Sequence, residues 1–275
     1  MPLIDDHPRE ADLIDGYWSV VKLSPNVFAI GEPRYYQVNW SYLIVGSEKA
    51  LLFDTGSGIR DISVVVGSLT DRPVHAMVSH LHFDHIGGFG HFEQTLMLDV
   101  PSIRSQLKDK TIHPSRYQSL AFIDGKKDMT LSVTAWIEPG GSFDLGDRTL
   151  KIISAPGHTA DSAVILDVDN KMMFTGDFLY QGSLYAMLPG SSRSAYAKSA
   201  DLLISESSFD TLILGAHAPT NALTPPVLSQ ASLIALRRQL AAVEAGAARY
   251  EGVFPRRLVI DDSVDFLTGF PWKNR

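Results

Sequence analysis

Three imidazoles and one carboxylate fall within six positions, His80-Leu81-His82-Phe83-Asp84-His85, directly after the apolar run 74–78. A strand ending in such a cluster delivers nitrogen donors and one hard oxygen donor to a single point. That mixture suits zinc or a neighbouring borderline metal better than calcium or magnesium. His80 and His82 stand two residues apart, so in an extended segment they project to the same side. The bland alternative is a polar loop where histidines happen to crowd. It is outweighed because the rest of the chain supplies the missing ligand types.

Those complements lie far downstream. Pro156-Gly157-His158-Thr159 follows the apolar run 150–153, Thr175-Gly176-Asp177 follows 172–174, and Gly215-Ala216-His217 follows 211–214. Each places a ligand type at the end of an expected strand, with a turn after it. Five of the nine histidines fall inside these motifs. The other four, His7, His75, His91 and His113, read as surface or packing residues, with His91 and His113 the two candidates for touching the site.

The elements that must carry these motifs read as two strand-rich halves, roughly 20–130 and 131–275, within one domain spanning 1–275. The first half predicts strands at 27–30, 36–45, 50–53 and 74–78 with a helix over 59–69. The second predicts strands near 142–145, 149–153, 163–167, 172–174 and 211–214, with a helix over 195–206. Another helix follows Pro226, where Leu233, Leu236, Leu240 and Val243 recur at helical spacing and predict one face packed on a sheet. Two such halves fit an α+β class, a four-layer αβ/βα sandwich with two sheets inside helical layers. Segment 101–140 fits least well. With Tyr117, Phe122 and Trp136 among polar residues, it reads either as an insertion shaping a cleft or as a helical cover.

Composition narrows the function. A chain of 275 residues with 45% hydrophobic residues can bury a substantial core. The absence of cysteine excludes disulfides, thiolate ligands and a cysteine nucleophile together. The N-terminus, Met1-Pro2-Leu3-Ile4-Asp5-Asp6, lacks a basic region followed by an apolar one, so no signal peptide is expected. No apolar stretch has the length of a membrane span. The expectation is a cytoplasmic enzyme with no membrane partner, although cysteine usage alone does not fix the compartment. A formal charge of −7 argues against a nucleic-acid partner. The short basic pairs, such as Lys126-Lys127 and Arg256-Arg257, read as solvated faces. A small-molecule substrate is expected, and homo-oligomerisation is left open.

The set His80, His82, Asp84, His85, His158, Asp177 and His217 resembles the metallo-β-lactamase-fold superfamily of binuclear metal hydrolases. Asp54-Thr55-Gly56, after the apolar run 50–53, is similar to that family's early Asp-Thr-Gly turn. The motifs spread over about 39–217, and they specify the superfamily far better than the substrate. The resemblance implies the four-layer fold, with metals in a cleft between the halves. It implies that His80, His82 and His158 hold a first metal, that Asp84, His85 and His217 hold a second, and that Asp177 bridges them. Two divalent ions are expected, zinc first, with iron, manganese or cobalt also tolerated by such a shell. Asp54 is expected either to orient a ligand histidine or the Asp84 loop, or to serve as an ordinary turn carboxylate.

The same residues separate this chain from branches of the superfamily. True β-lactamases of this fold either place a cysteine at the fifth motif or lack the bridging carboxylate, which here is Asp177. Glyoxalase II-like thioesterases and related persulfide dioxygenases carry Gly-Cys-Gly-Arg soon after that aspartate. Here Asp177 is followed by Phe178-Leu179-Tyr180-Gln181-Gly182-Ser183, which weakens a glutathione thioester as substrate. The lactonase branch carries a tyrosine three positions after the aspartate, and Tyr180 stands there.

The resemblance therefore implies an ester or lactone hydrolase in which a metal-bridging hydroxide attacks the substrate carbonyl. Asp84 would steer the hydroxide and carry its proton to the leaving oxygen, and Tyr180 either stabilises the oxyanion or packs the cleft wall. Tyr185 is a weaker second candidate. Tyr35, Tyr36 and Trp40, with segment 184–190, are candidates for an acyl or aromatic pocket. The alternatives are a phosphoester or organophosphate hydrolase and, further off, an iron-dependent oxidoreductase of the same fold.

Overall fold

The computed structural model describes residues 13–126 and 129–269. The N-terminal reading and His7 lie outside the described residues. An eight-stranded sheet forms first. Leu13–Ile14, Trp18–Ser24, Val27–Gly31, Trp40–Val45 and Ala50–Phe53 run antiparallel in sequence order, and Val74–Met77, Gln94–Leu98 and Ala135–Ile137 then add in parallel. A six-stranded sheet follows, with Ser142–Asp144, Thr149–Ser154, Ala163–Asp167, Met172–Gly176, Leu212–Gly215 and Val227–Ser229 in that order.

Period-two patterning decides how the sheets stack. Tyr42 and Ile44 face one way and Leu43 the other; likewise Ile152 and Ile165 part from Ile153 and Val164. The inner faces share one core in which Tyr42, Phe53 and Met77 meet Ile152, Ile165 and Phe174. Outside the first sheet, Ile30, Leu43 and Leu52 cover Ile62, Val65 and Val66 of the helix Ile62–Leu69. Outside the second, Val164, Met173 and Ile213 cover the helices Arg193–Glu206 and Gln230–Glu244. The expected stripe Leu233, Leu236 and Leu240 is buried there, and Val243 packs beside it. The fold is the four-layer α+β sandwich.

Three differences from the sequence reading bear on the site. The strand expected over 36–45 begins only at Trp40. The residues before it turn back, with Val38 at φ 48° and its amide on the Tyr35 carbonyl, so that 36–39 lies at the rim. A three-stranded sheet of Gly182–Tyr185, Val264–Thr268 and Arg256–Val259 was not anticipated. Its strands are only four or five residues long, and Arg256, Arg257 and Asp265 interrupt the apolar character of two of them. Segment 101–140 is not a helical cover. Its described residues hold one four-residue helix, Pro101–Arg104, a small three-stranded sheet and turns, and Trp136 sits in a strand of the first main sheet. Among the described residues, no helix is long and apolar enough to cross a membrane.

Candidate metal centre

All seven predicted ligands lie in the loops that follow a strand's C-terminal end, His80, His158, Asp177 and His217 within four residues of it and His82, Asp84 and His85 five to eight residues beyond Met77. Strand ends suit this task because the sheets fix the backbone while the following turn is free to aim a side chain. Tyr42 ties the two sheets beneath the site, its hydroxyl donating to the Gly215 carbonyl at 2.5 Å. The turn carrying Asp54 packs against the loop carrying His85 with almost no clearance. A Cβ on Gly87 would lie 2.2 Å from the Ser57 carbonyl carbon, so only glycine fits. Thr55 then donates both N–H and Oγ1–H to the His85 carbonyl, each at 2.8 Å.

The seven residues form two buried groups, His80, His82, His158 and Asp177, then Asp84, His85 and His217. Within each group the donor atoms lie within 4.8 Å of one another. In the first, His82 Nδ1 is 2.8 Å from His80 Nε2 and 3.1 Å from His158 Nε2. Asp177 stands between the groups with one oxygen for each. Its Oδ1 lies 3.0 Å from His217 Nε2 and 3.3 Å from His85 Nε2, and its Oδ2 lies 3.4 Å from His158 Nε2 and 3.9 Å from His80 Nε2. Asp84 Oδ2 is 3.6 Å from both His85 Nε2 and His217 Nε2.

The donor set fits divalent cations. Burial lowers the proton affinity of His80, His82 and His158, which leaves neutral imidazoles with lone pairs aimed at one point. Burial also works against charge on His85 and His217, but Asp177 and the neighbouring carboxylates outweigh it and raise both. Asp177 is desolvated too, yet His217 and His85 hold its carboxyl well below the usual range. His85 Nε2 and Asp177 Oδ1 are buried without a hydrogen-bond partner. Unpaired buried donors and acceptors facing one another are costly unless a cation sits among them.

The outer nitrogens of the histidines are individually held. His158 Nδ1 meets the Tyr185 carbonyl at 2.9 Å, His217 Nδ1 the Gln37 carbonyl at 3.0 Å, and His80 Nδ1 the Ser79 hydroxyl at 2.9 Å. His85 Nδ1 meets Asp54 Oδ2 at 2.9 Å, so Asp54 is an orienting group for a histidine. The sequence reading passed over Gln37, Asn39 and Asp161. Asn39 donates its side-chain amide to the Asp84 carbonyl at 2.6 Å, and Asp161 accepts from the Leu81 amide at 2.9 Å. Asp161 stands three residues after His158, a signal available in the sequence; Gln37 acts through its backbone and gave none.

Tyr180 lies beside the centre with its ring 5.0 Å from that of His217. Its hydroxyl donates to the Ser183 carbonyl at 2.5 Å, and burial raises its pKa well above the ordinary phenol value. Tyr185 contributes its carbonyl to His158 and its side chain to the cavity wall. Of the predicted pocket aromatics, Tyr36 lines the cavity, Tyr35 lies buried behind it, and Trp40 is core, 1% exposed. The remaining described histidines stay outside: His75 packs on Phe143, His91 faces Asp61, and His113 bonds Thr111 and Thr130.

The groups open into a cavity of about 840 Å³. Among its described lining residues there is no lysine or arginine.

The family model of the Metallo-beta-lactamase superfamily matches residues 36–215. The acyl-coenzyme A thioesterase MBLAC2 of Gallus gallus is 28% identical over 208 residues, covering 66% of this chain and 73% of that protein. The probable metallo-hydrolase YqgX of Bacillus subtilis (strain 168) is 24% identical over 186 residues, covering 67% and 87% respectively. Among solved structures, a metallo-beta-lactamase from Pontibacter korlensis superposes with a TM-score of 0.60 at 18% identity, covering 82% of this chain and 99% of that one. At that identity the likeness speaks for the fold alone.

Proposed function

The chain belongs to the metallo-beta-lactamase superfamily, and on that footing we propose a binuclear hydrolase of carboxylic acyl esters and thioesters, lactones included. The observation that carries this reading is Asp177, which offers one carboxylate oxygen to each of two histidine groups. His80, His82 and His158 would hold one divalent ion, zinc by donor chemistry, and Asp84, His85 and His217 a second. Such a pair supplies an activated water at neutral pH and polarises an acyl carbonyl.

The chain's own residues do the rest. Asp84, beside His85 and His217, is placed to accept a proton during attack and return it to the leaving oxygen or sulfur. Asn39 holds the Asp84 backbone and so fixes the direction of that carboxylate. The thioester limb of the reading draws on the relative named for acyl-coenzyme A thioester hydrolysis. The cavity's described lining offers no cationic side chain to a phosphoryl group, which weighs against a phosphoester substrate.

The test combines elemental mass spectrometry of protein purified without chelator with turnover of an aryl ester, a lactone, an acyl thioester and an aryl phosphodiester. About two zinc-like ions per chain with acyl turnover is the expected result. Asp177→Ala should lose both stoichiometric metal and activity. A single iron per chain with no hydrolysis would overturn the reading in favour of an oxidoreductase.

A further inference from the structure

The cavity wall is chemically uneven. One part comes from the small C-terminal sheet and its neighbours and is polar: Gln181, Ser183, Asp262 and Ser263. Another comes from Phe83, Leu120, Ile123 and Leu188 and is apolar. Phe83, Leu120 and Leu188 belong to a separate small core, with Tyr35, Ala121 and Met129, distinct from the three cores that hold the sandwich together. Ile123 is 54% exposed and Tyr36, also in the lining, is 60% exposed. A fold that only needed to close its core would not leave these side chains facing a cavity.

This apolar wall is pinned in place. The Phe83 amide, between His82 and Asp84, donates to the Ser119 carbonyl at 2.8 Å, tying the wall to the ligand loop itself. Asp124 accepts from two phenols at once, Tyr35 at 2.8 Å and Tyr36 at 3.0 Å. Lys126 reaches back to donate to the Ser57 carbonyl, with its ammonium 5.3 Å from the centre of the Phe83 ring. Segment 119–126 is thus anchored at three points around Ile123, while the Ile123 side chain makes its contact with the cavity.

We propose that Phe83, Leu120, Ile123 and Leu188 form the subsite for an unbranched apolar acyl chain, with Asp124 as its positioning residue. This rests on the acyl-hydrolase reading above. The acyl carbon lies at the metal centre, the chain runs along this wall, and the leaving group occupies the polar side. A preformed apolar groove next to the reacting centre rewards chain length, each buried methylene adding up to about four-fold.

The experiment is an acyl series, acetyl to decanoyl, on one aryl leaving group with the metal-loaded full chain, run beside Ile123→Ala and Asp124→Ala. The expected result is kcat/KM rising at least about ten-fold from acetyl to octanoyl, with Ile123→Ala lowering the octanoyl-to-acetyl ratio by about ten-fold. Asp124→Ala should lower the same ratio through KM rather than kcat. A flat series, or a ratio unmoved by Ile123→Ala, would overturn the subsite and leave the hydrolase reading standing. Calorimetric binding of octanoate against acetate separates the two ideas if no acyl substrate turns over. Tighter octanoate binding that Ile123→Ala weakens would then keep the subsite while the hydrolase reading fails, and equal binding would overturn the subsite as well.

Discussion

Asp54 Oδ2 lies 2.9 Å from His85 Nδ1, and this buried contact determines which nitrogen of His85 faces the cation-binding group. The same carboxylate accepts from the Ser79 amide at 2.6 Å and the Ser79 hydroxyl at 2.9 Å. Asp54 holds φ 64°, a conformation that non-glycine residues adopt rarely and that aspartate tolerates better than most. The turn is thereby bent to bring one side chain under both Ser79 and His85.

Replacing Asp54 with Asn keeps the size of the side chain and removes the charge that supports His85. Loss of such an outer partner costs about 10–100-fold in metal affinity. If the proposed pair of ions is bound, Asp54→Asn should therefore weaken one of them by that factor and spare the other, which a competition titration with a chelating dye resolves into two steps. Equal weakening of both steps would show that Asp54 supports the turn rather than His85.

Tyr180 supplies a second test. Its hydroxyl is committed to the Ser183 carbonyl and its ring lies against His217. Removing a true oxyanion donor costs about 100–1,000-fold in kcat. A residue that packs a ligand in place loses far less when only its oxygen goes. Tyr180→Phe is expected to lower kcat less than about ten-fold, measured by steady-state kinetics on an aryl ester. A hundred-fold loss with unchanged metal content would put the phenol in contact with the substrate.

The four-layer sandwich was legible because its central strands are short apolar runs, as in Ala50–Phe53 and Ala163–Asp167, and because the helix Gln230–Glu244 carries an apolar stripe. The residues of the candidate centre were legible for a different reason: His, Asp and Gly at strand ends have few other uses in such density. What supports them was not. Gln37 holds His217 through a backbone carbonyl, which any residue type supplies. Asn39 reached the site only because the expected strand over 36–45 starts late, at Trp40. The cavity wall at 119–126 has no periodicity, because it is built from turns fixed by Asp124 and Lys126 rather than by a ladder.

Glu32 supports a pH prediction. It is buried, and it accepts from the Ser57 amide at 2.8 Å, the Ser57 hydroxyl at 2.6 Å and the Tyr17 hydroxyl at 2.9 Å. Burial raises its carboxyl above the ordinary 4.5, with the Ser57 and Tyr17 donors pulling the other way. The folded protein then holds this proton more tightly than the unfolded chain. Stability from that proton is present at low pH and is lost as pH rises through the folded-state value. Glu32→Gln carries no such loss. In metal-free protein, the stability of the variant relative to the wild type should improve between about pH 4 and about pH 7, read from urea midpoints. A difference independent of pH would mean that Glu32 ionises as freely in the fold as outside it.

Arg148 joins the two sheets at the edge away from the proposed chemistry. Its Nη1 lies 3.0 Å from Asp167 Oδ2, and its Nη2 donates to the Val45 carbonyl at 2.7 Å and the Asn26 carbonyl at 3.1 Å. Val45 belongs to the first sheet and Asp167 to the second, and the side chains of Arg148 and Asp167 are only 7% and 1% exposed. Truncating one partner of a buried pair leaves the other charge desolvated and unpaired, at a cost of about 3–5 kcal/mol. Asp167 would keep the Asn170 amide groups as its hydrogen-bond donors among the described residues. Arg148→Ala should lose stability in that range in urea unfolding followed by circular dichroism. Adding Asp167→Asn should recover part of it, because the stranded charge is then gone. A loss under about 1 kcal/mol would show that water reaches Asp167 once the guanidinium leaves, and that the junction of the sheets rests on the shared apolar core instead.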